Sequence, residues 1–206
     1  MPNMYTTLPT FILGFHGCDQ SVVEKVVCGN DNLQVSTNDY DWLGHGIYFW
    51  ENDPDRALEY ARAFKAFPKR RQGKITNPAV FGAVIDLGHC LNLMEVEALE
   101  SVRLAYDALK NLSRDFSVDM PVNTPGHEGG NDLLLRRLDC AVIELLHEEN
   151  TERSFDTVRG LFFEGKDLYP NAGFKEKNHI QICVRNPNCI KGYFLPRLSD
   201  NEYPIP

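Results

Sequence analysis

The chain has 206 residues, enough to bury one sizeable core and requiring no second, so a single compact unit over residues 1–206 is expected. With 43% hydrophobic and 24% charged residues it has the composition of a globular protein, which excludes a disordered chain. A net charge of −8 disfavours sequence-independent wrapping of nucleic acid, though it does not exclude a local basic groove.

Met1 through Thr10 carries neither a basic n-region nor an apolar run. Phe11-Ile12-Leu13-Gly14-Phe15-His16-Gly17 then reads as an apolar strand ending in a histidine between glycines. A titratable side chain beside bare backbone suits a site that touches a small ligand closely. Asp19 caps a short helix in which Val22, Val23, Val26 and Val27 recur at helical spacing, and Gly29-Asn30 stops it. Leu33 to Tyr40 reads as a brief strand and a polar loop. The hydroxyls and amides of Val35-Ser36-Thr37-Asn38 either line a ribose pocket or satisfy the backbone of their own turn.

Trp42-Leu43-Gly44-His45-Gly46-Ile47-Tyr48-Phe49-Trp50-Glu51 organises the rest. Two glycines two apart permit a tight turn or a close approach to a ligand, and the aromatic, β-branched run that follows predicts a buried strand. Asp53 caps the next helix, Pro54 fits its first turn, and Ala57, Tyr60, Ala61 and Phe64 recur at helical spacing to about Phe67. A basic run, Lys65, Lys69, Arg70, Arg71 and Lys74, closes it. Such a run is either a solvated helix terminus or an anchor for phosphates.

Ala79 to Leu87 is a predicted strand and Met94 to Leu112 a surface helix. Ser117 to Gly130, rich in proline and glycine, reads as a long loop, a flap or an insertion. Asn131 or Asp132 caps an apolar helix to about His147, on which Asp139, Glu144 and His147 either carry chemistry or, as helical acids and a terminal histidine usually do, serve surface or dipole roles. Strands follow at Ser154 to Glu164, Lys177 to Val184 and Cys189 to Leu195, the last two joined by a predicted hairpin turn at Asn186-Pro187-Asn188. The six cysteines, Cys18, Cys28, Cys90, Cys140, Cys183 and Cys189, include no C-x-x-C pair and no metal-ligand spacing. Buried free thiols, a reducing compartment and no metal are expected. Without a run of bilayer-spanning length the expected location is the cytoplasm, although a toxin delivered by a secretion machine would read the same.

Two of these stretches together resemble the ADP-ribosyltransferases of the diphtheria-toxin and poly(ADP-ribose) polymerase type, whose site is described by a His, Tyr, Glu triad. The apolar strand with His-Gly is matched by His16-Gly17, and Leu-Gly-x-Gly-Ile-Tyr-Phe before an alanine-bearing helix is matched by Leu43 through Phe49 and Ala57. The resemblance implies an α+β fold with a split core of two small, mostly antiparallel sheets and outer helices, NAD lying in the cleft. It implies that His16 bonds the adenosine ribose, that the Gly17 backbone holds the nicotinamide amide, and that Tyr48 stacks on the nicotinamide ring with Tyr60 as a second wall. Ser36 is a candidate ribose contact.

Laying His179-Ile180-Gln181-Ile182-Cys183-Val184 on the family's third element puts Gln181 where the glutamate is expected. A neutral hydrogen bond is worth roughly 1 kcal/mol against about 1.5 to 3 for a charged one, so the reaction should be slower and chain elongation is not expected. Glu164 is the candidate to supply the missing charge, with Glu51 and Glu176 behind it. A second departure is Arg56, before Ala57, where family members carry a serine that bonds nicotinamide. The implied activity is mono-ADP-ribosyltransfer from NAD to an unidentified protein or nucleic-acid acceptor. An antitoxin or immunity protein is the further partner if the chain is a toxin. The alternatives are an NAD glycohydrolase, an inert NAD- or ADP-ribose-binding module, and transfer of an RNA 2'-phosphate to NAD. The last lacks the histidine and arginine constellation it needs.

Overall fold

A computed structural model of the chain describes residues 11–66, 75–126, 132–150 and 153–197. It is a mixed α+β protein. In chain order come β1 (Phe11–Asp19), α1 (Gln20–Val27), β2 (Ile47–Glu51), α2 (Pro54–Ala66), β3 (Pro78–Asp86), β4 (Cys90–Asn92) and α3 (Val96–Phe116). The hairpin strands β5 (Asn123–Thr124) and β6 (Leu135–Arg136) lead into α4 (Arg137–Glu149), and β7 (Thr157–Phe162), β8 (His179–Val184) and β9 (Ile190–Phe194) complete the chain. Among the described residues no helix is long and apolar enough to cross a membrane, and all six cysteines are free thiols, buried as expected except Cys28, exposed at the end of α1, and the half-buried Cys90.

One seven-stranded sheet, in the order β4-β7-β8-β2-β1-β3-β9, replaces the two small sheets expected. Its neighbours are antiparallel except β4 and β7. The sheet is nonetheless weakly joined at its centre. β1 and β3 pair along nine positions, whereas β1 and β2 pair only through Gly14 with Glu51 and Phe15 with Trp50.

The period of two along each strand sorts side chains onto two covered faces. Phe49, Phe81, Ile85, Ile182 and Val184 face Val23 and Val26 of α1. On the opposite face Tyr48, Val158, Phe162 and Cys183 meet Ala98 and Ala105 of α3 and Val142, Ile143 and Leu146 of α4. Beside them Phe15 and Trp50 meet Ala57 of α2.

The predicted caps form. The Asp19 carboxylate accepts from Ser21 N at 3.0 Å and from Thr76 N and Asn77 N at 2.7 and 2.9 Å. The Asn77 and Ser21 bonds hold its carboxyl far below the usual range. Asp53 accepts from Arg56 N at 2.9 Å and starts α2. That helix lies so close to β1 that a Cβ on Gly17 would stand 1.9 Å from the Ala57 carbonyl oxygen, which is why the position is glycine.

Four further expectations change. The α4 helix begins at Arg137, not at Asn131 or Asp132, because Leu135–Arg136 pairs with β5 and the Asn123 side chain accepts from Leu138 N at 2.9 Å, taking over the cap. Asp132 instead accepts from Gly165 N at 2.9 Å, and Asn131 lies outside the described residues. Second, β8 and β9 form no hairpin: β7 and β2 occupy both sides of β8, so β9 crosses to β3. Arg185 N and Asn186 N both bond the Asp156 carbonyl and fix that departure. Third, Leu33 to Tyr40 contributes no strand beyond one bridge, Ser36 with Gly46. Fourth, the long loop from Ser117 contains β5, so its end is part of a hairpin. Lys69, Arg70, Arg71 and Lys74 of the basic run lie outside the described residues, as does part of that loop.

Candidate functional site

The centre of the sheet opens like a fork where β1 and β2 part. Continuing their register would pair His16 with Phe49 and Gly17 with Tyr48, but the ladder stops at Phe15 and Trp50. Leu13's carbonyl accepts from Asn52 N at 2.8 Å. By strand alternation Phe15 and Gly17 therefore also turn their main-chain groups toward β2. At Gly17 that direction faces the opened fork. The Tyr48 carbonyl, on the other tine, is met by the His16 imidazole, whose Nδ1–H donates to it at 2.8 Å.

A carbonyl only accepts, so His16 is the Nδ1–H tautomer and its Nε2 is an acceptor. Burial lowers its pKa against the opposing effect of that bond, so the ring stays neutral. It leans edge-on to Phe49 and tilted toward Phe81, with centroids 5.7 Å away in both cases.

Tyr48, Trp50, Gln181 and Cys183 share the other face, because β2 and β8 pair Tyr48 with Cys183 and Trp50 with Gln181. The three expected triad positions thus fall on the neighbouring strands β8, β2 and β1. The side chains of Tyr48 and Gln181 are on one face and His16 on the other, with the fork between. The Tyr48 hydroxyl donates to the Gly44 carbonyl at 2.7 Å and accepts from Leu43 N at 2.9 Å. Burial, and then Cys183, raises its pKa well above the usual tyrosine value, so it remains a phenol.

Gln181 is buried, and its amide nitrogen lies 3.1 Å from His179 Nε2. His179 Nδ1 donates to the Lys177 carbonyl at 2.7 Å, so Nε2 must accept and Gln181 must donate. The imidazole sits 5.7 Å from Phe162 and 6.4 Å from both Trp42 and Trp50. Burial drives its pKa down from 6.5 to about 4. Unfolded chains bind the proton more readily in that window, so His179 adds stability that is complete above about pH 6.5 and lost as pH falls through about 4. Urea midpoints measured across this range should fall with acidity. A His179→Asn variant should show a shallower slope, the remainder coming from His16 and His147, whose pKa values are also lowered by burial.

Glu164 is buried and its Oε2 lies 2.6 Å from Arg56 Nη2. Burial raises its pKa although Arg56 opposes this. Arg56 reaches Glu59 at 3.2 Å as well, while its Nε and the Trp50 Nε1 are buried donors without a partner. The charge Glu164 was expected to lend is therefore offset by Arg56. Glu51 is paired with Arg159 at 2.6 Å, and Glu176 accepts from Lys166 N at 3.3 Å. Tyr60 packs on Trp50, centroids 4.9 Å apart, and carries the aromatic row on to Phe64 at 6.0 Å. Ser36 Oγ accepts from Asn38 at 2.8 Å, and Asn38 N donates to Asp41 at 2.9 Å, so the hydroxyl belongs to the turn's own network.

Glu144, expected to serve a surface or dipole role, instead holds the glycine loop together with Arg185, which the sequence does not mark. Glu144 Oε1 accepts from His45 N at 2.7 Å, and Arg185 Nη1 donates to the His45 carbonyl at 3.1 Å. Among the described residues no group of histidine, cysteine and acidic side chains has a metal-binding arrangement. A hollow of about 360 Å³ lined by Asn32, Leu33, Ile47, Pro187, Ile190 and Tyr193 includes none of the predicted site residues.

The chain is 28% identical, over 207 aligned positions, to a protein described as "Uncharacterized protein MJ0359" from Methanocaldococcus jannaschii; the alignment covers 86% of this chain and 83% of that one. No protein-family model matches the chain, and no solved structure matches it.

Proposed function

We propose that the chain is a mono-ADP-ribosyltransferase with an ADP-ribosyltransferase-like fold, which uses NAD, releases nicotinamide and modifies an unidentified protein or nucleic-acid acceptor. The observation that supports this reading best is the fork, where the Gly17 main chain faces an opening beside Tyr48 and Gln181 lies on the adjoining strand. One amide N–H and one carbonyl complement the carboxamide of nicotinamide, which carries one acceptor and one donor group.

The Tyr48 ring would stack on the nicotinamide, an interaction worth on the order of 1 kcal/mol that orients more than it drives. The bond between nicotinamide and ribose C1' breaks with its electron pair going to the ring nitrogen. An oxocarbenium-like centre remains, and the acceptor's nucleophilic atom attacks it as its proton passes to solvent. His16 Nε2 accepts from an adenosine-ribose hydroxyl. Gln181 stabilises the reacting ribose through a neutral hydrogen bond, so turnover is expected to be slower than with a carboxylate.

A second reading, an inert NAD-binding module, is favoured by the offset charges: Gln181 is neutral and Glu164 is matched by Arg56. Incubation with adenine-labelled NAD and cell extract separates the readings. Label on a macromolecule supports transfer, free ADP-ribose means that water is the acceptor, and intact NAD with measurable binding means an inert module.

A further inference from the structure

The loop from Leu43 to Gly46 is gripped from two sides. On one side is the Tyr48 hydroxyl, bonded to Leu43 N and the Gly44 carbonyl at 2.9 and 2.7 Å. On the other is an ion pair that no local sequence feature announces. Glu144, on α4, takes the His45 N–H at 2.7 Å, and its second oxygen lies 3.3 Å from His45 Nδ1. Arg185, just past the end of β8, pairs with the same carboxylate at 2.5 Å and donates to the His45 carbonyl at 3.1 Å. Both main-chain groups of one residue, the His45 N–H and C=O, are therefore held by charged groups, which make stronger bonds than neutral ones.

The fit is close. Gly44 has φ +79°, and a Cβ there would stand 2.4 Å from Glu144 Oε1; a Cβ on Gly46 would stand 2.4 Å from Cys183 Sγ. The loop has no room to shift toward α4 or β8 without breaking these contacts. Because the Tyr48 phenol bonds the same loop, the depth of its ring beside the fork follows the loop's position. A misplacement of about 1 Å in a reacting constellation costs on the order of 10²-fold in rate.

We infer that Glu144 and Arg185 are positioning residues which, by clamping the main-chain N–H and C=O of His45, set where the Tyr48 ring stands for nicotinamide. The inference rests on the proposed function for its catalytic consequence, and on the loop geometry alone for its structural one.

Two readouts keep the two apart. The first is nicotinamide release. Glu144→Ala should raise the KM for NAD about three- to fivefold, because the ring is misplaced before any bond breaks. Glu144→Gln, which retains an oxygen for the His45 N–H, should recover most of that loss. The second is the NMR signal of ¹³C-labelled Tyr48, assigned by its disappearance in Tyr48→Phe. Glu144→Ala should move it, and Glu144→Gln should move it less. A Tyr48 signal unmoved in Glu144→Ala overturns the inference whatever the activity, as does an unchanged KM in an active protein. Wild-type protein that releases no nicotinamide removes the proposed function, and the NMR result then decides the clamp by itself. Should Glu144→Ala fail to fold, Arg185→Met provides the same two readouts with the same expected directions.

Discussion

A His16→Ala, Tyr48→Ala double variant is expected to release nicotinamide from NAD at least about 10²-fold more slowly than the unaltered protein. His16 supplies the hydrogen bond that meets the Tyr48 carbonyl in the fork, and Tyr48 supplies both the stacking face and the hydroxyl that pins the glycine loop. Removing both takes away the stacking face and one of the loop's two holds, so binding and orientation are weakened together. Large-to-small replacement of a packed aromatic also costs about 3–5 kcal/mol of stability. Tyr48→Phe keeps the ring and drops only the hydroxyl, and its rate should fall between the two. Chromatography of released nicotinamide measures the effect, with circular dichroism confirming the fold. Full turnover in the double variant would show that the chemistry occurs elsewhere.

Arg56→Met is expected to destabilise the protein by about 3–5 kcal/mol, because it strands the buried Glu164 carboxylate that now lies 2.6 Å from the guanidinium. The companion double variant Arg56→Met, Glu164→Gln should recover most of that loss, since no charge is then left without a partner. Acidity adds a signed check. Glu164's pKa is already raised by burial, and losing Arg56 raises it further. A carboxyl with a folded pKa above its unfolded one favours the native state at low pH. That contribution disappears as pH rises through the folded value. Arg56→Met should therefore be relatively most stable near pH 4 and lose ground toward neutrality, a trend absent from the double variant. Urea denaturation at several pH values measures both.

Local chemistry was legible in the sequence wherever one side chain acts on its own neighbourhood. Asp19 and Asp53 cap the helices they precede, and Ile47 to Glu51 forms the expected strand. Long-range choices were not. That β9 leaves β8 for β3 depends on which strand sides are already taken, and that α4 starts at Arg137 depends on Asn123, fourteen residues upstream. The single sheet with a two-pair join reads locally like two sheets, because the pattern of each strand is the same in either case.

Within the site, His16-Gly17 and the Gly44 to Tyr48 segment were visible because their glycines and aromatics are adjacent in the chain. His179 carried a signal that went unused: it alternates with Gln181 and Cys183 opposite Ile180, Ile182 and Val184, and so shares their face. Glu144 read chiefly as a helix-surface or dipole residue, and nothing joined it to Arg185. They lie 41 positions apart and meet only across the folded loop.

The most direct test is a crystal structure with bound NAD, or with nicotinamide and ADP-ribose. The fork account predicts the carboxamide on the main chain of Gly17, the pyridine ring against Tyr48, the adjoining ribose beside Gln181 and the adenosine ribose near His16. A dinucleotide seated away from the parting of β1 and β2, touching none of these four residues, would contradict it.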